Sequence, residues 1–163
     1  MPATYDSIAT TTVSGTSTTT IALTSIPSTY TDLVLVTNIK TTNNNNGNGW
    51  IRFNSDTGTN YSQTRLYGSG SGAGSDRQTG TDYLNLNVGG FNNGILSVAQ
   101  IYSYSNTTTY KTVATRINTP DAYVSLNLGI WRSTSAISRI DVTIFEGYIN
   151  AGSTVTLFGI KAA

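Results

Sequence analysis

The sequence contains no cysteine and no histidine. Without cysteine there are no disulfides, no thiolate nucleophile and no sulfur ligand for a metal. Without histidine the commonest general base and the commonest metal ligand are missing, and so is every Ser–His or Cys–His nucleophile pair. Charge is scarce as well. Only 10% of the 163 residues are charged and the formal net charge is +1, against roughly 25% charged residues in an average domain. The nine Lys and Arg residues are spread from Lys40 to Lys161 without a cluster, so no basic patch offers itself to phosphates and nucleic acid is not an expected partner. No apolar run approaches the length of a membrane-spanning helix, and no basic amphipathic stretch suggests a membrane surface. The first residues lack the charged start and apolar stretch of a secretory leader, so synthesis in a cytoplasm is expected.

Tyrosine, threonine and spaced aliphatic residues are plentiful. Aromatic residues make up 10% of the chain, with ten Tyr and two Trp, which sets it apart from disordered sequences rich in Ser, Asn and Gly. Threonine dominates, helix formers are few, and no segment repeats apolar residues at helical spacing. Short alternating runs separated by Gly, Asn, Ser and Asp recur instead. They predict strands over Ser7 to Val13, Thr18 to Leu23, Asp32 to Ile39, Trp50 to Phe53, Gln63 to Tyr67, Tyr83 to Val88, Ile95 to Tyr104, Tyr110 to Ile117, Tyr123 to Trp131, Ile140 to Phe145 and Val155 to Ile160. Ten or eleven strands without intervening helices predict an all-β fold, an antiparallel β-sandwich of jelly-roll-like type with no substantial helix. Residues 1–163 read as one domain, with 1–12 as a candidate extended arm. Asn43 to Gly49 and Gly68 to Gly80 read as exposed, flexible, Gly-rich loops.

In Tyr123 to Trp131 the alternation of Val124, Leu126, Leu128 and Ile130 is the clearest in the chain. Taken as the core face, it places Trp131 outward or at an interface. Likewise Ile95 to Tyr104 places Leu96, Val98, Tyr102 and Tyr104 on one face.

Chemical motifs are thin. Asp56-Thr57-Gly58 matches the aspartic-protease triplet, but polar residues surround it and no second copy exists. A tight turn with Gly58 at positive φ is the simpler reading. A glycosidase pair needs two carboxylates about 5–10 Å apart. Asp32, Asp82, Asp121, Asp141 and Glu146 are candidates that nothing in the sequence brings together. Asp56 and Asn60 offer oxygen atoms for Ca²⁺, a common coincidence in β-loops. No metal, cofactor or catalytic residue is assigned. The better candidates for contact with a partner or a sugar ring are aromatic: Trp50, Tyr61, Tyr67 and Trp131.

Three stretches carry a resemblance. They are Tyr5-Asp6-Ser7-Ile8-Ala9-Thr10 continuing through Ile26-Pro27-Ser28-Thr29-Tyr30-Thr31-Asp32-Leu33, then Ile51 to Ser62, and finally Ile137 to Ile144 with the ending Ala151-Gly152-Ser153-Thr154-Val155-Thr156-Leu157-Phe158-Gly159-Ile160. The sequence resembles small structural proteins of tailed bacteriophages of marine bacteria and cyanobacteria. The resemblance implies a virion component without catalytic residues: a capsid decoration (cement) protein that binds the major capsid protein and copies of itself, as a homotrimer. The alternative is a tail-fibre or receptor-binding module that takes host glycan. Made in the cytoplasm of a bacterial host, the protein would reside in the virion.

Overall fold

The computed structural model describes residues 4–15, 17–42, 48–86, 94–119 and 123–161. They form twelve strands: β1 (Tyr5–Thr12), β2 (Thr20–Leu23), β3 (Asp32–Ile39), β4 (Gly49–Phe53), β5 (Tyr61–Ser69), β6 (Gly72–Thr81), β7 (Leu84–Asn85), β8 (Ile95–Tyr102), β9 (Lys111–Thr119), β10 (Tyr123–Trp131), β11 (Ile140–Ile144) and β12 (Thr154–Ile160). There is no helix among the described residues. An eight-stranded sheet runs β1-β12-β3-β8-β9-β10-β5-β6 and a four-stranded sheet runs β2-β11-β4-β7. Every pairing is antiparallel. The fold is a jelly-roll-like antiparallel β-sandwich.

Strand alternation builds the core. Ile21 and Leu23 of β2, Ile51 and Phe53 of β4, and Ile140, Val142 and Ile144 of β11 face the large sheet. They meet Leu33 and Leu35 of β3, Ala99 and Ile101 of β8, and Val155 and Leu157 of β12. At one end an aromatic cluster joins the sheets. Trp131 stacks near Tyr61 at 6.2 Å and lies 5.5 Å from Phe53. The total accessible surface, 7817 Å², equals the roughly 7,800 Å² that a compact chain of this mass exposes.

Four expectations need correction. Gly68 to Gly80 is not a flexible loop. β5 runs on to Ser69, turns, and returns as β6 in register with it, Arg65 opposite Asp76 and Gln63 opposite Gln78. Cross-strand pairs such as the Arg65–Asp76 ion pair hold this hairpin despite its glycines. Next, the apolar face of β10 points outward. Leu128 is 57% exposed while Trp131 is 2% exposed. The inward face carries Ser125, Asn127 and Gly129 because β7 crosses close above it. A Cβ on Gly129 would lie 2.8 Å from a methyl of Leu84. Small side chains are needed there, and the bulky ones take the other face. Then, β8 ends at Tyr102, and Ser103 at φ 49° turns the chain so that Tyr104 is buried rather than aligned with Leu96. The Tyr104 hydroxyl donates to the Pro27 carbonyl. Finally, the candidate arm is from Tyr5 onward a strand at the sheet edge, paired with β12 through one bulge between Ser7 and Ala9. Of the strand expected over Tyr83 to Val88, Leu84 and Asn85 pair with β4. Residues 87–93, like 43–47, lie outside the described residues.

The Asp56 segment is a structural bracket. Asn54 and Ser55 hold φ of 52° and 55°, and the Asp56 N–H donates to Phe53 O at 2.9 Å. This is a type I′ turn. The positive φ thus falls on these two residues, not on Gly58. The Asp56 carboxylate accepts from Gly58 N at 2.8 Å, Asn60 Nδ2 at 3.0 Å and Trp131 Nε1 at 2.7 Å. Burial raises its pKa, but the hydrogen bonds from Asn60, Trp131 and Gly58 outweigh it and hold the carboxyl below its ordinary value.

Asp56→Ala leaves the buried Trp131 N–H without its acceptor and is expected to lower stability by about 1–3 kcal/mol, measured by urea unfolding at pH 7. The folded-state pKa lies below 3.8. The ionised carboxylate therefore contributes fully above the unfolded value and its contribution disappears as pH falls through the folded one. The gap between wild type and variant should narrow in acid.

Candidate functional site

Two surfaces remain once the core is accounted for. The first is the outer face of the eight-stranded sheet. Strand registers place Val36, Val98, Arg116, Leu126 and Leu66 side by side across β3, β8, β9, β10 and β5. A parallel row holds Val34, Gln100, Ala114, Leu128 and Thr64, and a third holds Leu96, Asn118 and Val124. Leu66, Leu96, Val124, Leu126 and Leu128 are all exposed. These rows contain no carboxylate. Arg116, near their centre, makes no ion pair among the described residues. Monomeric proteins seldom leave a contiguous apolar area of this kind in water.

The second surface is a cleft at the β6 end of the sandwich. β5 and β6 extend past β7, the edge of the small sheet, so their inward-facing side chains meet the outward-facing side chains of β4 and β7. Arg65 and Gln78 come from the overhang, while Trp50, Arg52 and Asn85 come from the small sheet. Asn48, Asp82, Tyr83 and Phe145 complete a cleft of about 530 Å³. Trp50 stacks on Tyr83 at 4.5 Å with an interplanar angle of 21°, and Phe145 leans on it at 5.4 Å. Arg52 pairs with Asp82 and lies 5.4 Å from the Trp50 ring. Arg65 pairs with Asp76 and lies 4.9 Å from the Tyr67 ring, which in turn stacks on Tyr123 at 6.0 Å. Burial pushes the Tyr123 hydroxyl pKa up.

Of the four aromatic residues singled out from the sequence, the structure brings Trp50 to the cleft and Tyr67 beside it, against Arg65. Tyr61 and Trp131 are corrections. They are 0% and 2% exposed and form the aromatic core, with the Tyr61 hydroxyl receiving the Phe53 N–H at 3.1 Å. The contributions of Phe145, Arg52 and Asn85 were missed. They depend on which strands pair, and only the odd placement of Phe145 just after an apolar strand hinted at exposure.

Asp82 and Asp76 are held by arginines, and Asp141 accepts from Arg139 and Ser55. Asp121 lies outside the described residues. Asn60 presents its amide N–H to Asp56, so the pair forms a hydrogen bond in place of a cation site. No group of three or more acidic side chains suited to a metal occurs among the described residues. Lys111 is fully buried, its ammonium donating to the carbonyls of Thr109 at 2.8 Å and Thr134 at 3.3 Å. Burial pushes its pKa down, but without exposure it serves neither surface.

No family model and no curated protein sequence matches this chain. Among solved structures, an alginate lyase double mutant in complex with an alginate tetrasaccharide aligns over 82% of this chain and 72% of its own, at 11% identity and a TM-score of 0.31. A likeness that slight carries no inference about activity.

The two tryptophans differ in exposure, Trp50 half-buried at the cleft and Trp131 buried in the core, which gives a direct check of the site. Iodide should quench the Trp50 component of the emission and leave the Trp131 component untouched. In Trp50→Phe the remaining emission should be almost unquenchable.

Proposed function

We propose that this chain is a non-enzymatic structural component of a tailed-phage particle, a capsid decoration protein that docks on the shell through the outer face of its eight-stranded sheet. The observation that supports the reading is the set of apolar rows around Arg116 on that face. Their burial against a partner is the natural source of affinity. Exposed leucines and valines gain about 25 cal/mol per Å² removed from water, and the best-packed of them dominate the binding energy.

The charge on the face selects the partner. Arg116 lies central among the apolar rows, and Arg77 lies at their margin on β6, opposite Thr64. Both are exposed, and no carboxylate on those rows offsets them. Two copies of this chain packed face to face about Arg116 would oppose like charges. The fitting occupant is a different surface, apolar with a carboxylate opposite Arg116, and the major capsid protein is the partner proposed. Contacts between copies of this chain would then use other surfaces. The resemblance to phage structural proteins, the lack of cysteine and the scarcity of charge are all consistent with a particle component.

Leu128→Glu places a charge in the centre of the apolar rows without touching the core. It should weaken binding to purified shells about thirty-fold or more, the effect of a residue contributing at least about 2 kcal/mol, with the melting temperature unchanged. Quantitative mass spectrometry of purified particles should find this chain in numbers near those of the shell subunit. Undiminished shell binding by Leu128→Glu would overturn the docking face. A copy number tens of times lower would move the protein from the shell to the tail.

A further inference from the structure

We infer that the cleft beneath the β5–β6 overhang binds a neutral oligosaccharide. This goes beyond the shell-docking reading and stands or falls separately from it, because the two surfaces lie on opposite faces of the same hairpin.

The cleft has the volume of a ligand site. At about 530 Å³ it falls within the range of roughly 300–1,000 Å³ of small-molecule sites. One wall is aromatic. Trp50 and Phe145 form a tilted pair at 5.4 Å, and Phe145 is 58% exposed. An uncovered phenyl ring beside an indole offers an apolar platform to a partner that has an apolar face of its own. The C–H face of a pyranose ring is such a partner. Beside it runs a polar network: Asn85 is the cross-strand neighbour of Trp50 on the small sheet, and Gln63 and Gln78 meet it from the overhang. Gln63 Nε2 donates to Gln78 Oε1 at 2.6 Å, and Asn85 Nδ2 donates to the same oxygen at 3.2 Å. The Asn85 N–H donates to Gln63 Oε1 at 2.9 Å. This chain of amides orients Gln78 Nε2 as a donor and Asn85 Oδ1 as an acceptor, neither of which has a partner among the described residues. A neighbouring donor and acceptor suit a pair of vicinal hydroxyls, each of which both gives and takes a hydrogen bond. Fixing the amides beforehand lowers the entropy lost on binding.

The charges decide which saccharide. The cleft contains two guanidinium groups, which by themselves would favour a uronate, a sulfate or a phosphate. Each is already paired within the protein, Arg52 with Asp82 and Arg65 with Asp76. An anionic ligand would have to displace a carboxylate or lie against one. A neutral ligand meets both ion pairs as ready hydrogen-bonding edges. The site therefore fits a neutral hexose oligomer and disfavours acidic polysaccharide.

The test titrates the intact protein with neutral hexaoses (β-1,3-glucan, β-1,4-glucan, mannan and galactan) and with anionic ones (alginate and polygalacturonate), read by calorimetry and tryptophan emission. The expected result is saturable binding of at least one neutral hexaose with Kd of about 1 mM or tighter and a change in Trp50 emission, with no binding of the anionic set. Phe145→Ala, a change at an exposed ring, should weaken that binding tenfold or more with an unchanged melting temperature. Leu128→Glu, on the opposite face, should leave it intact. Failure of all four neutral hexaoses to bind, preference for an anionic one, or undiminished binding by Phe145→Ala would overturn the inference.

Discussion

Strands in a sheet lie about 4.8 Å apart, so the eight-stranded sheet is roughly twice as wide as the four-stranded sheet packed against it, and the placement of both candidate surfaces follows from that mismatch. The small sheet covers the middle of the large one and buries the aliphatic core. Its edge strand β7 comes down over β10, with Leu84 resting on Gly129. Beyond β7 the large sheet continues to β6, and the part of its inner face that the described residues of the small sheet do not cover becomes one wall of the cleft. Among the described residues, no second layer covers the outer face.

The stability of such an arrangement depends on polar brackets at the ends of the sandwich as much as on aliphatic packing. Asp56 fixes the turn that carries the chain from β4 to β5 and also holds the Trp131 indole in the core. Tyr104 does similar work at the other strand ends, its hydroxyl bonded to Pro27 O and accepting the Tyr30 N–H at 3.3 Å. Both are single side chains that join segments far apart in sequence, and both are partly desolvated, which strengthens their hydrogen bonds. A chain with so few charges relies on neutral and singly charged hydrogen bonds of this kind in place of surface ion pairs, which contribute little in water.

The all-β class, the antiparallel pairing and most strand positions were legible because side-chain alternation and turn residues are local properties. The direction of each face was not. In β10 the alternation separates Leu126 from Asn127 without saying which points inward, and the answer comes from β7, a two-residue strand some forty positions earlier. Gly129 in mid-strand was the available sign of a close approach. The β5–β6 hairpin was hidden by its glycines, which disfavour strands, although Arg65 and Asp76 are spaced to face each other about a two-residue turn. Trp50 and Tyr67 lie at or beside the cleft, but the same choice of aromatic residues also took in Tyr61 and Trp131 of the core, because residue type alone does not tell a half-buried ring from a buried one. Arg52, Asn85 and Phe145 join Trp50 and Tyr67 only through pairing across the small sheet, which no local pattern encodes.

Along β5, Arg65 points into the cleft and Leu66, the next residue, points to the outer face. The two surfaces are thus written on alternate letters of one strand. Substitutions at one set of positions can change what the cleft accepts while the other face keeps its shape, so the two properties are free to evolve at different rates. Insertion of a single residue has the opposite effect. It exchanges the two sets from that point onward, which makes the length of the hairpin a far stricter inheritance than its composition.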